Sequence, residues 1–139
     1  MKKITKNNKG FSLIELIIVI AIMAVLVAII APNLTKYLGS SKQKTDQKNA
    51  DELASQIQTS ITDYETSNGA LGACTITWTG STASTTPANS AFDTILNDTI
   101  TTSAVSKETG AAASASITAK SSGSGYTITV TLGNASATK

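Results

Sequence analysis

The sequence contains few of the side chains on which enzymes rely. Among its 139 residues there is no His and no Arg, there is one Cys, and only 4% of the residues are aromatic. His is the side chain that most often exchanges protons near neutral pH, and a single Cys without His provides neither a Cys–His nucleophile nor a zinc site of nitrogen and sulfur ligands. Cys74 has no second Cys with which to close a disulfide within the chain. We therefore expect a protein that is not an enzyme and binds no metal and no cofactor.

Positive charge is concentrated at the start of the chain. The 11 lysines outnumber the 9 acidic residues, but Lys2, Lys3, Lys6 and Lys9 all precede Gly10. After Gly10 only seven lysines remain against all nine acids. Such a chain has no extended basic surface on which phosphates can bind, so we expect no direct binding of nucleic acid.

A long apolar segment follows the lysines. The 16 residues Leu16–Ala31 carry no polar side chain, and the stretch from Phe11 to Pro32 adds only Glu15 as a charged residue. As a helix this stretch is long enough to span a hydrocarbon layer of about 30 Å. Lysines on its N-terminal side favour an N-terminus in the cytoplasm. We predict a transmembrane helix over 11–32.

Three interpretations of this start are compatible with the residues alone. A secretory signal has an apolar region of about 7 to 15 residues, which is shorter than the run here. An uncleaved membrane anchor fits the length but leaves the charge of Glu15 without a partner. A chain cleaved between Gly10 and Phe11 gains an α-amino group four residues before Glu15, and i,i+4 spacing places the two groups on one helix face.

The eight residues Lys9–Leu16, between the Lys-rich leader and the apolar run, resemble the processing motif of type IV pilins and pseudopilins. The resemblance implies that a prepilin peptidase removes the leader, residues 1–10, by cutting between Gly10 and Phe11, and that Phe11 is then N-methylated. It also implies that Phe11 and Glu15 act in assembly, Glu15 by neutralising the N-terminal amine of a neighbouring subunit. Pilins often carry a proline at the position of Pro32.

Pro32 is also expected to affect the helix on local grounds. A proline removes one backbone donor and its ring clashes with the carbonyl four residues earlier, so we predict a kink there. The single Cys contrasts with the pair that often staples pilins of Gram-negative bacteria, and the resemblance therefore leans towards a major pilin of the Gram-positive type.

After Pro32 the pattern becomes amphipathic and predicts a second helical segment over 33–67, ending near Asn68-Gly69. We interpret the charged residues between Lys42 and Glu52, Asp46 included, as a solvated face, with the alternative that in a packed bundle they set the register between subunits. The predicted packing face recurs every three or four residues and consists of Leu34, Leu38, Ser41, Thr45, Asn49, Leu53, Ile57, Ile61 and Tyr64.

The remaining residues, 68–139, are rich in Ser and Thr and contain three alternating stretches that predict strands, 74–79, 116–120 and 126–132. Residues 121–125 are expected to turn the second strand into the third, and Asn89 or Ser90 to cap a short helix. Residues 80–88 and 110–115 have the composition of disordered segments. Cys74 is expected to be a small buried hydrophobe.

The predicted fold is therefore α+β: a long N-terminal helix, transmembrane in one half and amphipathic in the other, packed on a small antiparallel sheet. The helix stripe Leu53, Ile57, Ile61 and Tyr64 should cover the apolar face of the sheet. The expected core residues of the sheet are Ile76, Trp78, Ile117, Ile128, Val130 and Leu132.

The resemblance implies a structural subunit that starts as a precursor in the cytoplasmic membrane and polymerises, with the pilus assembly machinery, into a homo-oligomeric helical filament outside the cell. Adhesion and motility are the usual roles of such filaments. Two alternatives stay open: a pseudopilin of a type II secretion or competence DNA-uptake system, and an unprocessed membrane-anchored surface protein.

Overall fold

The architecture is that of a computed structural model, which describes residues 10–119 and 125–139. The elements are α1 (Leu13–Asn68), β1 (Cys74–Thr79), β2 (Thr82–Thr86), α2 (Ser90–Thr99), β3 (Ser114–Ala119), β4 (Tyr126–Leu132) and β5 (Ala135–Thr138). The predicted α+β fold, with one long helix and a small antiparallel sheet, is confirmed. The chain forms two compact units, a first unit up to Leu38 and a second unit, Gly39–Lys139. The lysines of the predicted leader lie outside the described residues.

The first unit is a helix without a core of its own. Every described residue from Gly10 to Leu38 is exposed. An 18-residue window of α1 has a mean hydropathy of 3.3, and none of that window is buried, so the helix is long and apolar enough to cross a membrane. Helical structure continues through Pro32. The kink expected at Pro32 stays a prediction.

In the second unit five strands form an antiparallel sheet in the order β2-β1-β3-β4-β5. The predicted strands 74–79 and 126–132 have the bounds observed for β1 and β4. β3 and β4 pair as expected, with Ile117 opposite Ile128. Residues 121–124 of the predicted turn, and Lys120 at the end of the predicted strand 116–120, lie outside the described residues. Alternation of apolar residues with Thr or Ser therefore identified the three central strands.

Both edge strands were missed. β2 lies within 80–88, for which the composition wrongly predicted disorder, and β3 begins at Ser114, inside the second segment predicted to be disordered. The inward residues of the edges are small: Ala83 and Thr85 in β2, and Ala135 and Ala137 in β5. Because sequence patterns are recognised from large apolar side chains, an alternation of Ala with Ser and Thr resembles a linker.

The core lies between the sheet and the part of α1 in the second unit. Leu53, Ile57 and Ile61 pack there as predicted, and Tyr64 is partly buried against them. All six predicted sheet residues are buried, together with Phe92 and Leu96 of α2. The side-chain oxygen of Asn89 accepts from the amide of Phe92 at 3.1 Å, which confirms Asn89 as the cap of this short helix.

The packing face of α1 differs from the prediction before Leu53. Leu34 and Leu38 are each 52% exposed, and Thr45 is also exposed. The buried face runs instead through Asp46 and Ala50, one residue further along the chain. The pattern of apolar residues predicted the wrong packing face in this part of α1, because the residue buried here is an acid.

Cys74, which was expected to be buried, is half-buried. Its burial, together with the nearby Asp93, raises the pKa of the thiol.

Asp46 is therefore not part of a solvated face; it is 1% exposed. Its carboxylate accepts hydrogen bonds from the Ser106 hydroxyl at 2.6 Å, the Lys107 amide at 2.7 Å and the Glu108 amide at 3.0 Å. Burial alone would raise the pKa of Asp46, but these bonds outweigh it and the pKa lies below its usual value. One carboxylate thus ties the loop before β3 to α1.

We predict that Asp46→Asn destabilises the second unit. The Asn side chain has an NH₂ group where Asp46 has a carboxylate oxygen, and this group cannot accept a hydrogen bond. At least one of the three donors is then unsatisfied, which lowers the free energy of unfolding by on the order of 2 kcal/mol. Since the pKa of Asp46 is lower in the folded than in the unfolded chain, the stabilisation is present above the ordinary pKa of 3.8 and is lost as pH falls through the folded value.

Chemical denaturation of the full chain in detergent, at neutral and acidic pH, measures this effect. The difference between wild type and Asp46→Asn should shrink at acidic pH. Asp51→Asn is the matched control, because Asp51 is an exposed acid on the same helix. Equal stability of Asp46→Asn and wild type at neutral pH would contradict the assignment.

Candidate functional site

The candidate site is the start of α1, where the sequence motif predicts a cleavage. Gly10 and Phe11 precede the helix, and the Phe11 side chain is 90% exposed. A Cβ atom added to Gly10 would have no heavy atom within 4 Å. The fold therefore imposes no steric requirement for glycine at this position, and any such requirement must come from a molecule that acts on the chain.

Ser12 and Glu15 form a reciprocal cap at the first turn of α1. Ser12 is the residue immediately before the helix, and its amide donates to Oε2 of Glu15 at 2.8 Å. The Ser12 hydroxyl oxygen accepts from the amide of Ile14 at 3.4 Å, and the Ser12 carbonyl accepts from the amide of Glu15 at 3.1 Å. The Glu15 contact is that of a capping box, whereas the Ser12 hydroxyl accepts from the second helical amide, Ile14, and not from the third. Both contacts satisfy amides that otherwise lack partners at a helix start.

Glu15 makes a hydrogen bond that we did not predict from the sequence. The prediction was only that its carboxylate neutralises the N-terminal amine of a neighbouring subunit. The structure shows that it already accepts a backbone hydrogen bond and lies in the first turn, where the helix dipole favours a negative charge. The missed residue is Ser12, and its signal was in the sequence: Ser followed three residues later by Glu, ahead of an apolar run.

The position of the cap relative to the predicted cut has a chemical consequence. A cut between Gly10 and Phe11 leaves the peptide bond between Phe11 and Ser12 intact, so the Ser12 amide remains a donor to Glu15. The cap is therefore compatible with the predicted cut, after which the new amine would lie four residues before Glu15.

No cluster with the composition of a metal site occurs in residues 10–119 and 125–139: these contain no group of three or more His, Cys, Asp or Glu side chains that could hold an ion. The chemistry of the candidate site is accordingly that of one serine, one carboxylate and an exposed apolar helix. Such a set can bind a cation and associate through apolar surface.

Comparison with known proteins identifies the N-terminal region. Residues 5–31 match the family model described as the prokaryotic N-terminal methylation motif. The chain is 36% identical over 74 residues to the type IV major fimbrial protein FimA of Dichelobacter nodosus, an alignment that covers 53% of this chain and 45% of FimA. The resemblance to type IV pilins that the residues around Gly10 indicated is thereby confirmed.

Two further relatives come from Clostridium perfringens and Bacillus subtilis. The prepilin peptidase-dependent protein A of Clostridium perfringens is 42% identical over 55 residues, covering 38% of this chain and 39% of the relative. The competence protein ComGC of Bacillus subtilis is 34% identical over 59 residues, covering 42% of this chain and 56% of ComGC. This chain thus spans about half the length of the curated relatives it matches. No solved structure matches it.

We predict that Ser12→Ala frays the first turn of α1 without affecting the rest of the helix. Loss of an N-cap side chain costs about 1 kcal/mol. Amide hydrogen exchange of the full chain in micelles should show faster exchange at Ile14 and Glu15. Ser40→Ala, an exposed serine inside the same helix, is the control and should leave these amides unchanged. Unaltered exchange in Ser12→Ala would show that the cap does not form.

Proposed function

We propose that this chain, whose N-terminal region is that of type IV pilins and their competence relatives, is a structural subunit of a type IV pilus. The observation that carries the proposal is the methylation motif over residues 5–31 together with the apolar segment Leu16–Ala31 of α1, whose residues are all exposed. The similarity to FimA, a type IV major fimbrial protein, supports a role as the main component of a filament. In this proposal the chain catalyses no reaction.

Maturation begins in the membrane. The precursor is inserted in the cytoplasmic membrane through residues 11–32, with its lysines in the cytoplasm, and a prepilin peptidase cuts between Gly10 and Phe11. The amine of Phe11 then receives a methyl group. The open surroundings of Gly10 support this step, because a peptidase can approach the peptide bond without unfolding any packed element.

Assembly follows from two properties of the mature N-terminus. The exposed apolar segment Leu16–Ala31 exchanges lipid for the same segment of other copies, so little apolar surface enters water during the transfer. The Glu15 carboxylate, held at the helix start by Ser12, pairs with the cationic amine of Phe11 of a neighbouring copy. This pairing restricts which copies can enter the growing filament, which extends outside the cell.

A second function is supported by a specific observation, the similarity to ComGC over the same N-terminal region. A pseudopilin of a competence or type II secretion system would share the cut, the methylation and the role of Glu15. The two functions differ in abundance: a pilin predicts long surface fibres composed chiefly of this chain. If deletion abolishes DNA uptake while such fibres are absent, the competence function replaces the pilus function.

The first prediction concerns the cut. Gly10→Val should accumulate as full-length precursor in the membrane, since the fold accepts the side chain and only the peptidase would reject it. Intact mass of the purified chain distinguishes the precursor from a mature chain that begins at methylated Phe11. Gly72→Ala, another exposed glycine with open space around it, is the control and should mature normally. A wild-type chain that still begins with Met1 would support the unprocessed anchor instead.

The second prediction separates the two contacts of Glu15. Glu15→Gln retains an oxygen that accepts from the Ser12 amide but loses the charge, whereas Ser12→Ala keeps the charge and weakens the cap. If the charge pairs with the amine of a neighbour, Glu15→Gln and Glu15→Ala should both be cleaved yet give few fibres. Ser12→Ala should polymerise nearly normally.

Electron microscopy of sheared surface material, with immunoblots for processing, measures both outcomes. Abundant fibres from Glu15→Gln would mean that Glu15 acts only as a helix cap.

A further inference from the structure

The exposed charges of α1 in the second unit are segregated by sign along the helix. Lys42, Lys44 and Lys48 are exposed, and no other exposed ionisable side chain lies among them, because the acid within this stretch, Asp46, is buried. We call these three lysines the basic band. The next exposed charges on the helix are Asp51, Glu52 and Asp63, which we call the acidic band; no lysine occurs between them.

The burial of Asp46 is what makes the bands distinct. An exposed acid at this position would neutralise part of the basic band. The Asp46 carboxylate is instead buried and accepts hydrogen bonds from the Ser106 hydroxyl and from the amides of Lys107 and Glu108. Glu108, on the neighbouring loop, has its carboxylate oxygens bonded to the amide groups of Gln43 at 2.9 Å and Asn134 at 3.2 Å. Asp46 and Glu108 are therefore engaged within the chain, and the nearest exposed acids are Asp51 and Glu52, three and four residues after Lys48.

Apart from Lys42, which lies one turn before Asp46 on the packed side, both bands occupy the helix face that the sheet leaves uncovered. At 3.6 residues per turn, Lys44, Lys48, Asp51 and Glu52 lie opposite the residues that pack on the sheet, such as Leu53 and Ile57. Between and beyond the acids this face carries hydroxyl side chains, and Ser55, Thr59, Thr62 and Thr66 each donate to a carbonyl of their own helix. Their donors are satisfied, and their small size permits close approach of another helix.

We propose that the basic band of one copy binds the acidic band of a second copy of this chain in the filament, an inference that rests on the proposed pilus function. The bands have opposite sign and three charges each, so their charges favour another copy of the same chain as the partner. Two antiparallel copies could bring both pairs of bands together at once. Copies that leave the same membrane have the same orientation, however, so their helices are parallel and this arrangement is excluded.

Parallel copies bring opposite bands together only if one is displaced along the helix axis. The centres of the bands lie about ten residues apart, which corresponds to a displacement on the order of 15 Å. Such a contact is heterologous: the acidic band of the first copy binds the second copy, and the basic band of the first remains available to a third. A contact of this kind propagates without closing, as a filament requires.

Charge reversal tests the contact. Lys44→Glu combined with Lys48→Glu, and separately Asp51→Lys combined with Glu52→Lys, should each reduce the yield of fibres by about tenfold or more, because like charges then face each other. The four substitutions together restore opposite signs and should return the yield to within a few-fold of wild type. The fibres of the wild type should also dissociate more readily at high salt, which screens exposed pairs.

The controls reverse exposed charges outside the bands: Lys139→Glu at the C-terminus and Asp98→Lys on α2, both of which should leave fibre yield unchanged. Intact mass confirms cleavage of every variant, and thermal unfolding in detergent confirms that each second unit is folded. Normal fibres from either double variant would overturn the contact. The contact would also be overturned if only the lysine variant lost fibres and the fourfold variant did not restore them. That result is expected if the lysines bind anionic lipid headgroups.

The pilus function and the contact between the bands are distinguished by different results. Absence of fibres from the wild-type chain would count against the pilus function and the contact together. Wild-type fibres that depend on Glu15 but tolerate both reversals would overturn the contact alone.

Discussion

The structure depends on one constraint: the apolar side chains of Leu16–Ala31 have no partner within their own chain. Every described residue of the first unit is exposed, so this surface must be covered by lipid or by other proteins. A chain of this kind has two stable environments, a bilayer and a bundle of similar helices, and it can pass between them at little cost in apolar burial. In the proposed function, the polar groups at the start of the helix decide when this passage occurs and with which partner.

In the proposed function, Glu15 combines a local and an intermolecular role in one carboxylate. Its hydrogen bond to the Ser12 amide holds the charge at the helix start, close to Phe11, before any partner is present. A group held in place loses less rotamer freedom when it binds, so the cap prepares the site for the proposed amine. Because the Ser12 amide survives a cut before Phe11, the same arrangement serves precursor and mature chain.

The second unit is built around a modest core with polar ties at its periphery. Large residues of β1, β3 and β4 meet Leu53, Ile57 and Ile61, while the edge strands contribute only Ala and Thr. Asp46 adds a buried carboxylate that fixes the loop before β3 and removes one negative charge from the surface of α1. Folding of the second unit thus determines which charges of α1 are exposed on the surface that is proposed to contact another copy.

The sequence alone determined the long helix, the central strands, the cap at Asn89 and the motif around Gly10, Phe11 and Glu15. These features depend on local chemistry: an uninterrupted apolar run, strict alternation of residues, and short spacings that bring groups into contact within one turn. Only the tertiary structure decided that Thr82–Thr86 and Ala135–Thr138 are strands and that Asp46 is buried. Small residues become strands when a neighbouring strand supplies their hydrogen bonds, and an acid enters the interior only when donors more than 50 residues away in the sequence converge on it.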